Sequence, residues 1–303
     1  MSIALALAAV AALGASGSLI TAHNGAIGRR LGPWRATRLF MTVGSVVGLA
    51  CVVAVERSAL DPAVLASLPA YALLPGVLNA FLVASVIRLV RVIGTLQLMA
   101  SVFTGSVCVG LVLDHVGAFD LPTIAVSGPR ILGAACLVAG VALLALRLGR
   151  QVATGAARSA PPAWAVAAAL ACGAVDAVAV AMNTTLAAAA GPFTATVAFL
   201  LPGALVMSLV LPLAPRARSG QRAAMQPSDL VPGVWNVAAL ALALAVIPTV
   251  GLHLANASRF AAAIVAGTVV DHLGTFGGVR IAVDRPRLAA AALLVVGVAI
   301  SLP

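Results

Sequence analysis

Between Ser2 and Ala22 the chain carries no charged residue, and the same is nearly true of residues 36–55, 68–90, 129–146, 163–182, 230–248 and 287–302. Each run approaches or exceeds the ~20 apolar residues that cross a bilayer as a helix. In hydrocarbon a backbone must satisfy its own hydrogen bonds, so only helices and closed barrels span. A barrel strand alternates lipid-facing and lumen-facing residues. These runs are continuous and rich in Ala, Leu and Gly, which selects helices. Composition agrees: 62% of residues are hydrophobic and 9% charged, where a soluble domain has ~25% charged residues. Such a chain has too little polar surface to cover itself in water.

Gly, Pro and charge breaks divide the chain into ten expected spans: 3–23, 36–55, 68–90, 94–113, 129–147, 163–185, 193–213, 229–248, 250–270 and 287–302. The expected fold is an all-α integral membrane protein. No Lys or Arg precedes the first span, so it lacks the basic start of a signal peptide and reads as a retained helix. Cys51, Cys108, Cys136 and Cys172 stand in or beside apolar runs at no metal-ligand spacing. They read as small apolar fillers, and no metal site or cofactor is expected.

All 18 basic residues are Arg, and the formal net charge is +10. Basic loops beside anionic lipid account for that charge without nucleic acid. Placement of the arginines is more telling. Arg29, Arg30, Arg35, Arg38, Arg88, Arg91, Arg147, Arg150, Arg158, Arg216, Arg218, Arg222, Arg280, Arg285 and Arg287 fall on odd-numbered connections. Arg57 and Arg130 fall on even ones, and Arg259 alone lies inside a span. The positive-inside rule then predicts odd connections in the cytoplasm and both termini outside.

The chain also repeats. Leu113–Phe119 reads LDHVGAF, and residues 270–276 read VDHLGTF, 157 positions later. At the same offset PGVLN (75–79) returns as PGVWN (232–236), Gly94 as Gly251, Ser101 as Ser258, Pro129-Arg130 as Pro286-Arg287, and Gly140 as Gly297. Nearer the start the offset is 159: Asn24, Gly32-Pro33-Trp34 and Ala36-Thr37 match Asn183, Gly191-Pro192-Phe193 and Ala195-Thr196. Each half holds five spans, an odd number, so two fused copies must run in opposite directions through the membrane. The expected organisation is a first five-helix repeat over 1–149, a polar, basic linker over 150–162, and an inverted second repeat over 163–303.

The DH-x-G-x-F box closing the fourth helix, the short loop to a Pro-Arg and the Gly-containing last helix resemble the YdcZ-type branch of the drug/metabolite transporter superfamily. The resemblance covers most of both halves. It implies five-helix domains, here fused antiparallel, and an inner-membrane transporter labelled an exporter with no settled substrate. That branch often carries a Gln one turn before the Asn of the first helix and a Gly-Gln in the fourth. Here those places hold Ile20 and Ala179, and Gly105-Ser106 and Ala262-Ala263. If those glutamines touch solute, specificity differs here.

Ionisable groups at membrane depth are functional or paired. Asp176 is the one carboxylate expected in mid-span and Arg259 the one arginine. Their repeat counterparts are Gly17 and Val102, so both break the internal symmetry. One reading is a binding or coupling site, with Asp176 taking a proton or a cationic group and Arg259 an anionic one. The other is a buried ion pair that holds packing. His253, Asn256 and Arg259 share a broad helical face. Gln97, Ser101 and Thr104 form a weaker facing set. Interhelical hydrogen bonding is the alternative for all of these except Arg259, and His253 can equally be a satisfied buried group. Asn79 and Asn236 follow Pro-Gly pairs, which would bend a helix, and could take up a freed backbone group or line a cavity. Asn24 and Asn183 fall near expected span ends, where a helix-end role competes with ligand binding.

Asp followed by His and Gly at two span ends reads as a turn whose side chains bond the loop. Acid–base catalysis is the sharper alternative, but inverted halves would put one box on each face, where a single active site cannot use both. The sequence has no G-x-x-x-x-G-K-[ST], HExxH, GxSxG or paired carboxylates, so neither direct ATP use nor an enzyme is expected. The leading expectation is a secondary transporter of a small polar or amphipathic metabolite, working by alternating access, with Asp176 as the proton-coupling group. A monomer or homodimer would serve. The alternatives are an intramembrane enzyme and a non-transporting assembly protein.

Overall fold

Four glycines cut the apolar sequence into helices. Gly32, Gly94, Gly191 and Gly251 have φ of 83°, 76°, 94° and 82°, with ψ of 153°, 168°, 156° and 158°. That region is essentially closed to residues with a Cβ. Gly32, Gly191 and Gly251 are each the single residue between consecutive helices, and Gly94 breaks the helical run Leu74–Val116 in the same way. Pro33 and Pro192 follow at the first helical position, where a missing N–H leaves no bond unmade.

The computed structural model describes residues 3–56, 71, 73–153, 162–212, 224–275 and 285–301. Among the described residues there are ten helices and no strand. They are α1 (Ile3–Leu31), α2 (Pro33–Val55), α3 (Leu74–Gly94), α4 (Gln97–Val116), α5 (Gly128–Ala153), α6 (Ala163–Ala190), α7 (Pro192–Val210), α8 (Val231–Val250), α9 (Leu252–Leu273) and α10 (Arg285–Ser301). Seven stretches among them, in α1–α4 and α6–α8, are long and apolar enough to cross a membrane. Shorter apolar stretches run Gly128–Gly140 in α5 and Leu288–Gly297 in α10. The polar run of His253, Asn256 and Arg259 belongs to α9, which is in neither set.

Several boundaries differ from the expected ones for physical reasons. α1 continues past residue 23 to Leu31, because its breaker is Gly32-Pro33 and its last turn carries Arg29 and Arg30, good helix formers that suit a C-terminal dipole. Pro75 and Pro232 stand at helix starts rather than inside helices, so neither bends a helix as expected. The first four residues of the expected linker are helical, since α5 runs to Ala153. The rest of it up to residue 161, with Arg57, Arg158, Arg216, Arg218, Arg222 and Arg280, lies outside the described residues.

Helices of the first half pack on helices of the second: α1 on α9, α4 on α6, α2 on α7 and α5 on α10. Reciprocal crossings recur at equivalent glycines. A Cβ on Gly14 would overlap the carbonyl oxygen of Arg259, and one on Gly173 would overlap that of Val102. Gly14 and Gly173 are equivalent positions, as are Val102 and Arg259. A Cβ on Gly44 would stand 3.3 Å from the Gly233 carbonyl oxygen, and one on Gly203 2.7 Å from that of Gly76, again equivalent pairs. Gly140 packs on Leu294, and Gly297 on Leu137. Contacts of the form i to j′ and i′ to j are those of a twofold-type interface.

The first copy of the repeated box acts across this interface. The Asp114 carboxylate is fully buried and accepts the N–H groups of Leu252 (3.2 Å) and His253 (3.0 Å) at the start of α9. Contrary to the expectation from sequence, its carboxylate thus bonds α9 and not its own loop; its backbone carbonyl accepts from Ile124 N–H at 2.8 Å. A carboxylate is disfavoured at the C-terminus of its own helix and favoured at the N-terminus of another. Glu56, at the end of α2, does the same for α7, accepting from Phe193 N–H (3.0 Å), Thr194 N–H (2.8 Å) and Thr194 Oγ1 (3.0 Å). His115 is exposed, while its neighbour Asp114 is buried.

Truncation of Asp114 leaves two α9 donors unmatched in a buried position, which costs about 1–3 kcal/mol. Asp114→Ala is thus expected to lower the melting temperature in detergent by roughly 2–10 °C, with His115→Ala unchanged. Equal melting of Asp114→Ala and the parent protein would show that the cap contributes nothing.

Candidate functional site

The close crossing of α1 and α9 at Gly14 brings the backbone of Arg259 against α1. Beside it lies a cavity of about 180 Å³, walled by α1, α3, α4, α6, α8 and α9 with Phe40 from α2. For scale, a dry cavity of about 150 Å³ accepts benzene. Leu13, Ile20, Val83, Val86, Ile87, Val90 and Met99 supply apolar wall. Thr21, Asn24, Asp176, Trp235, Asn236 and Arg259 supply the polar groups. A few convergent polar groups in an apolar hollow are the usual form of a small-molecule site.

Asp176 and Arg259 meet across this space. Arg259 Nη2 lies 3.5 Å from Asp176 Oδ2, and the two side chains keep 29% and 18% of their surface accessible. A charge-assisted bond closes to about 2.7–2.9 Å, so this pair is loose and open to the cavity. The Arg259 guanidinium lies over the Phe260 ring, 4.8 Å from its centroid. Phe260 in turn stacks on Phe103 at 3.7 Å. Nε of Arg259 has no hydrogen-bond partner. The stack fixes the plane of the guanidinium while leaving donors available. Trp235 Nε1 donates to Ser16 Oγ at 3.1 Å, which holds the indole against α1.

Of the residues singled out from sequence, Asp176, Arg259 and Asn236 line the cavity, and His253, Asn256, Gln97 and Asn79 do not. His253 is fully buried, with Nδ1 3.3 Å from the Val107 carbonyl oxygen. Asn256 Nδ2 donates to Ser106 Oγ at 3.1 Å. Gln97 Nε2 donates to Ser101 Oγ at 3.2 Å, and its Oε1 has no partner. Asn79 is buried, as are Ser101 and Thr104. Because α1 and α6 run on to Leu31 and Ala190, Asn24 and Asn183 lie inside helices rather than near their ends. Asn24 faces the cavity, while Asn183 is fully buried.

Trp235 and Thr21 were not singled out from sequence. The signal for Trp235 was available: its repeat counterpart is Leu78, so it breaks symmetry in the manner of Asp176 and Arg259. Thr21, opposite Val180, departs in the same way but is too common a residue in membrane helices to stand out.

The cavity occupies one half of the bundle's length. Its walls come from the later parts of α1 and α3 and the early parts of α2, α4 and α8. At that end Arg30 Nη2 meets Asp229 Oδ2 at 2.6 Å and Arg88 stacks over Trp34 at 4.4 Å. The opposite half is filled by side chains including Val180, Leu186, Leu244, Ile247 and Leu252. The caps from Asp114 and Glu56 lie at that closed end, with Thr185 Oγ1 donating to the Phe119 carbonyl.

Residues 5–143 and 164–300 match the family model described as "Putative inner membrane exporter, YdcZ". No curated protein matches. A solved structure described only as "Crystal structure of protein" is similar over 98% of this chain and 96% of its own, with a TM-score of 0.65 at 18% identity. At that identity the likeness is one of fold.

Proposed function

The chain belongs to the YdcZ branch of the drug/metabolite transporter superfamily, and on that premise we propose that it is a secondary-active exporter of the inner membrane, working by alternating access. The observation that carries this reading is the loose Asp176–Arg259 pair, which faces a small cavity walled by helices of both halves. The reciprocal glycine crossings support two inverted repeats, 1–149 and 163–303, joined by 150–162. With both termini outside, the cavity lies on the cytoplasmic side. One chain encloses it, so a single chain is the transport unit whether or not two chains associate.

A solute of benzene-like size with an apolar body and a charged or zwitterionic end fits the cavity. Its charge would displace one partner of the Asp176–Arg259 pair, and Asn24 and Asn236 would take its hydrogen-bonding groups. A cationic end pairs with Asp176 once that carboxylate has given up its proton, so solute and proton occupy it alternately and cross in opposite directions. This exchange needs no nucleotide, consistent with the lack of a phosphate-binding loop in the sequence.

The test is reconstitution in liposomes loaded with pyranine, with a radiolabelled panel of small amines, carboxylates and zwitterionic amino acids. At least one is expected to show protein-dependent flux with a change in internal pH. Asp176→Asn is expected to move solute without pH dependence, or not at all. Absence of flux for the whole panel overturns transport of this solute class; wild-type pH dependence in Asp176→Asn overturns coupling through that residue.

A further inference from the structure

Asn183 is fully buried in α6, and neither its Nδ2 nor its Oδ1 has a hydrogen-bond partner. A buried amide left this way is unfavourable and uncommon in a native interior. Its place in the repeat supplies a reason. Asn183 is the equivalent of Asn24, which lines the cavity. Other positions behave alike. Val83 and Val90 line the cavity half-buried, and their equivalents Leu240 and Ile247 are buried in the core. Asn236 lines it half-buried, and its equivalent Asn79 is buried. One set of positions is thus open in one half and closed in the other.

Asp176 and Arg259 stand between the two regions. Asn183 follows Asp176 by two helical turns on the same face of α6, and Asn256 precedes Arg259 by one turn on α9. Their equivalents Gly17 and Val102 line the open cavity. The closed region is held shut at its far end by contacts between halves, Asp114 on α9 and Glu56 on α7.

We infer that the packed region around Asn183 is a second solute-binding chamber, closed in this conformation, in which Asn183 contacts the solute as Asn24 does in the open one. The inference rests on the transporter reading above. The chamber takes the same chemical class, a small solute whose charged group stays with Asp176 and Arg259 while its hydrogen-bonding group passes from one Asn amide to the other. Opening it requires release of the Glu56 and Asp114 caps.

The test is thiol labelling of full-length protein with Cys51, Cys108, Cys136 and Cys172 replaced by Ala, using a membrane-impermeant maleimide on spheroplasts and on inside-out vesicles. Asn24→Cys is expected to react from one face, and Asn183→Cys and Asn79→Cys from the other. Adding Glu56→Gln is expected to raise the rate at position 183 several-fold and leave that at 24 unchanged. Should Asn183→Cys not accumulate in membranes, Asn79→Cys decides alone. Reaction of 183 or 79 from the same face as 24, or no reaction while 24 reacts, overturns the second chamber. Solute flux with unreactive 183 and 79 sinks this inference and leaves transport standing. Opposite-face labelling with no flux of any panel solute leaves the chamber standing and removes transport.

Discussion

Arg259→Leu is expected to abolish protein-dependent flux and to lower the melting temperature as well. The guanidinium is one side of a partly enclosed ion pair. Breaking a fully buried pair costs about 3–5 kcal/mol because a charge is left without a partner; accessibility to the cavity reduces this to roughly 1–3 kcal/mol. A lost charge-assisted contact with solute, about 1.5–3 kcal/mol, corresponds to roughly tenfold to hundredfold in affinity. The Asp176→Leu/Arg259→Leu double variant separates the roles. Removing both charges is expected to restore thermal stability, since no charge is left unmatched, but not flux. Recovery of flux in the double variant would reduce the pair to a packing device. Parent-level flux in Arg259→Leu would remove it from the site altogether.

Gly173→Ala and Gly14→Ala are expected to have the largest effect on folding. The added carbon would overlap a backbone carbonyl oxygen in each case, of Val102 and Arg259 respectively. A flexible side chain can swing aside, but a carbonyl moves only if its whole helix moves. Overpacking costs about 1–3 kcal/mol where side chains yield, so about 3 kcal/mol or more is expected here. The readout is the fraction of monodisperse protein in detergent and its melting temperature. Gly128→Ala is the control, because nothing lies within 4 Å of the added carbon, and it is expected to match the parent. Parent-like behaviour of Gly14→Ala and Gly173→Ala would mean that the crossings are not as tight as described.

Helix class and number were legible because the signal is strong and local: long uncharged runs, with Gly-Pro between them. Asp176 and Arg259 stood out for a different reason, one that applied to Trp235 as well but was not used there. A duplication supplies an internal reference, and residues that depart from it stand out. The caps were not legible. Asp114 and Glu56 accept from backbone N–H groups that begin 138 and 137 positions later, and nothing in their neighbouring sequence names that partner. Nor was the difference between Asn24 and Asn183 legible. The two residues are identical and equivalently placed; only the asymmetric packing of the halves exposes one and buries the other. His253 and Asn256 share Arg259's helix and one broad face of it, yet their hydrogen bonds to Val107 and Ser106 turn them into packing groups in this conformation.

The single-glycine joints carry a mechanical consequence. A loop of several residues has slack, so one helix can slide along its neighbour without dragging it. A joint of one residue has almost none: push α8 along its axis and the start of α9 is pushed with it, at the point where Asp114 holds two of its N–H groups. Piston movement of a lone helix is therefore blocked, while rotation about the joint stays open. α6 with α7, and α8 with α9, are therefore expected to shift as pairs, each turning about its glycine at the closed end of the bundle.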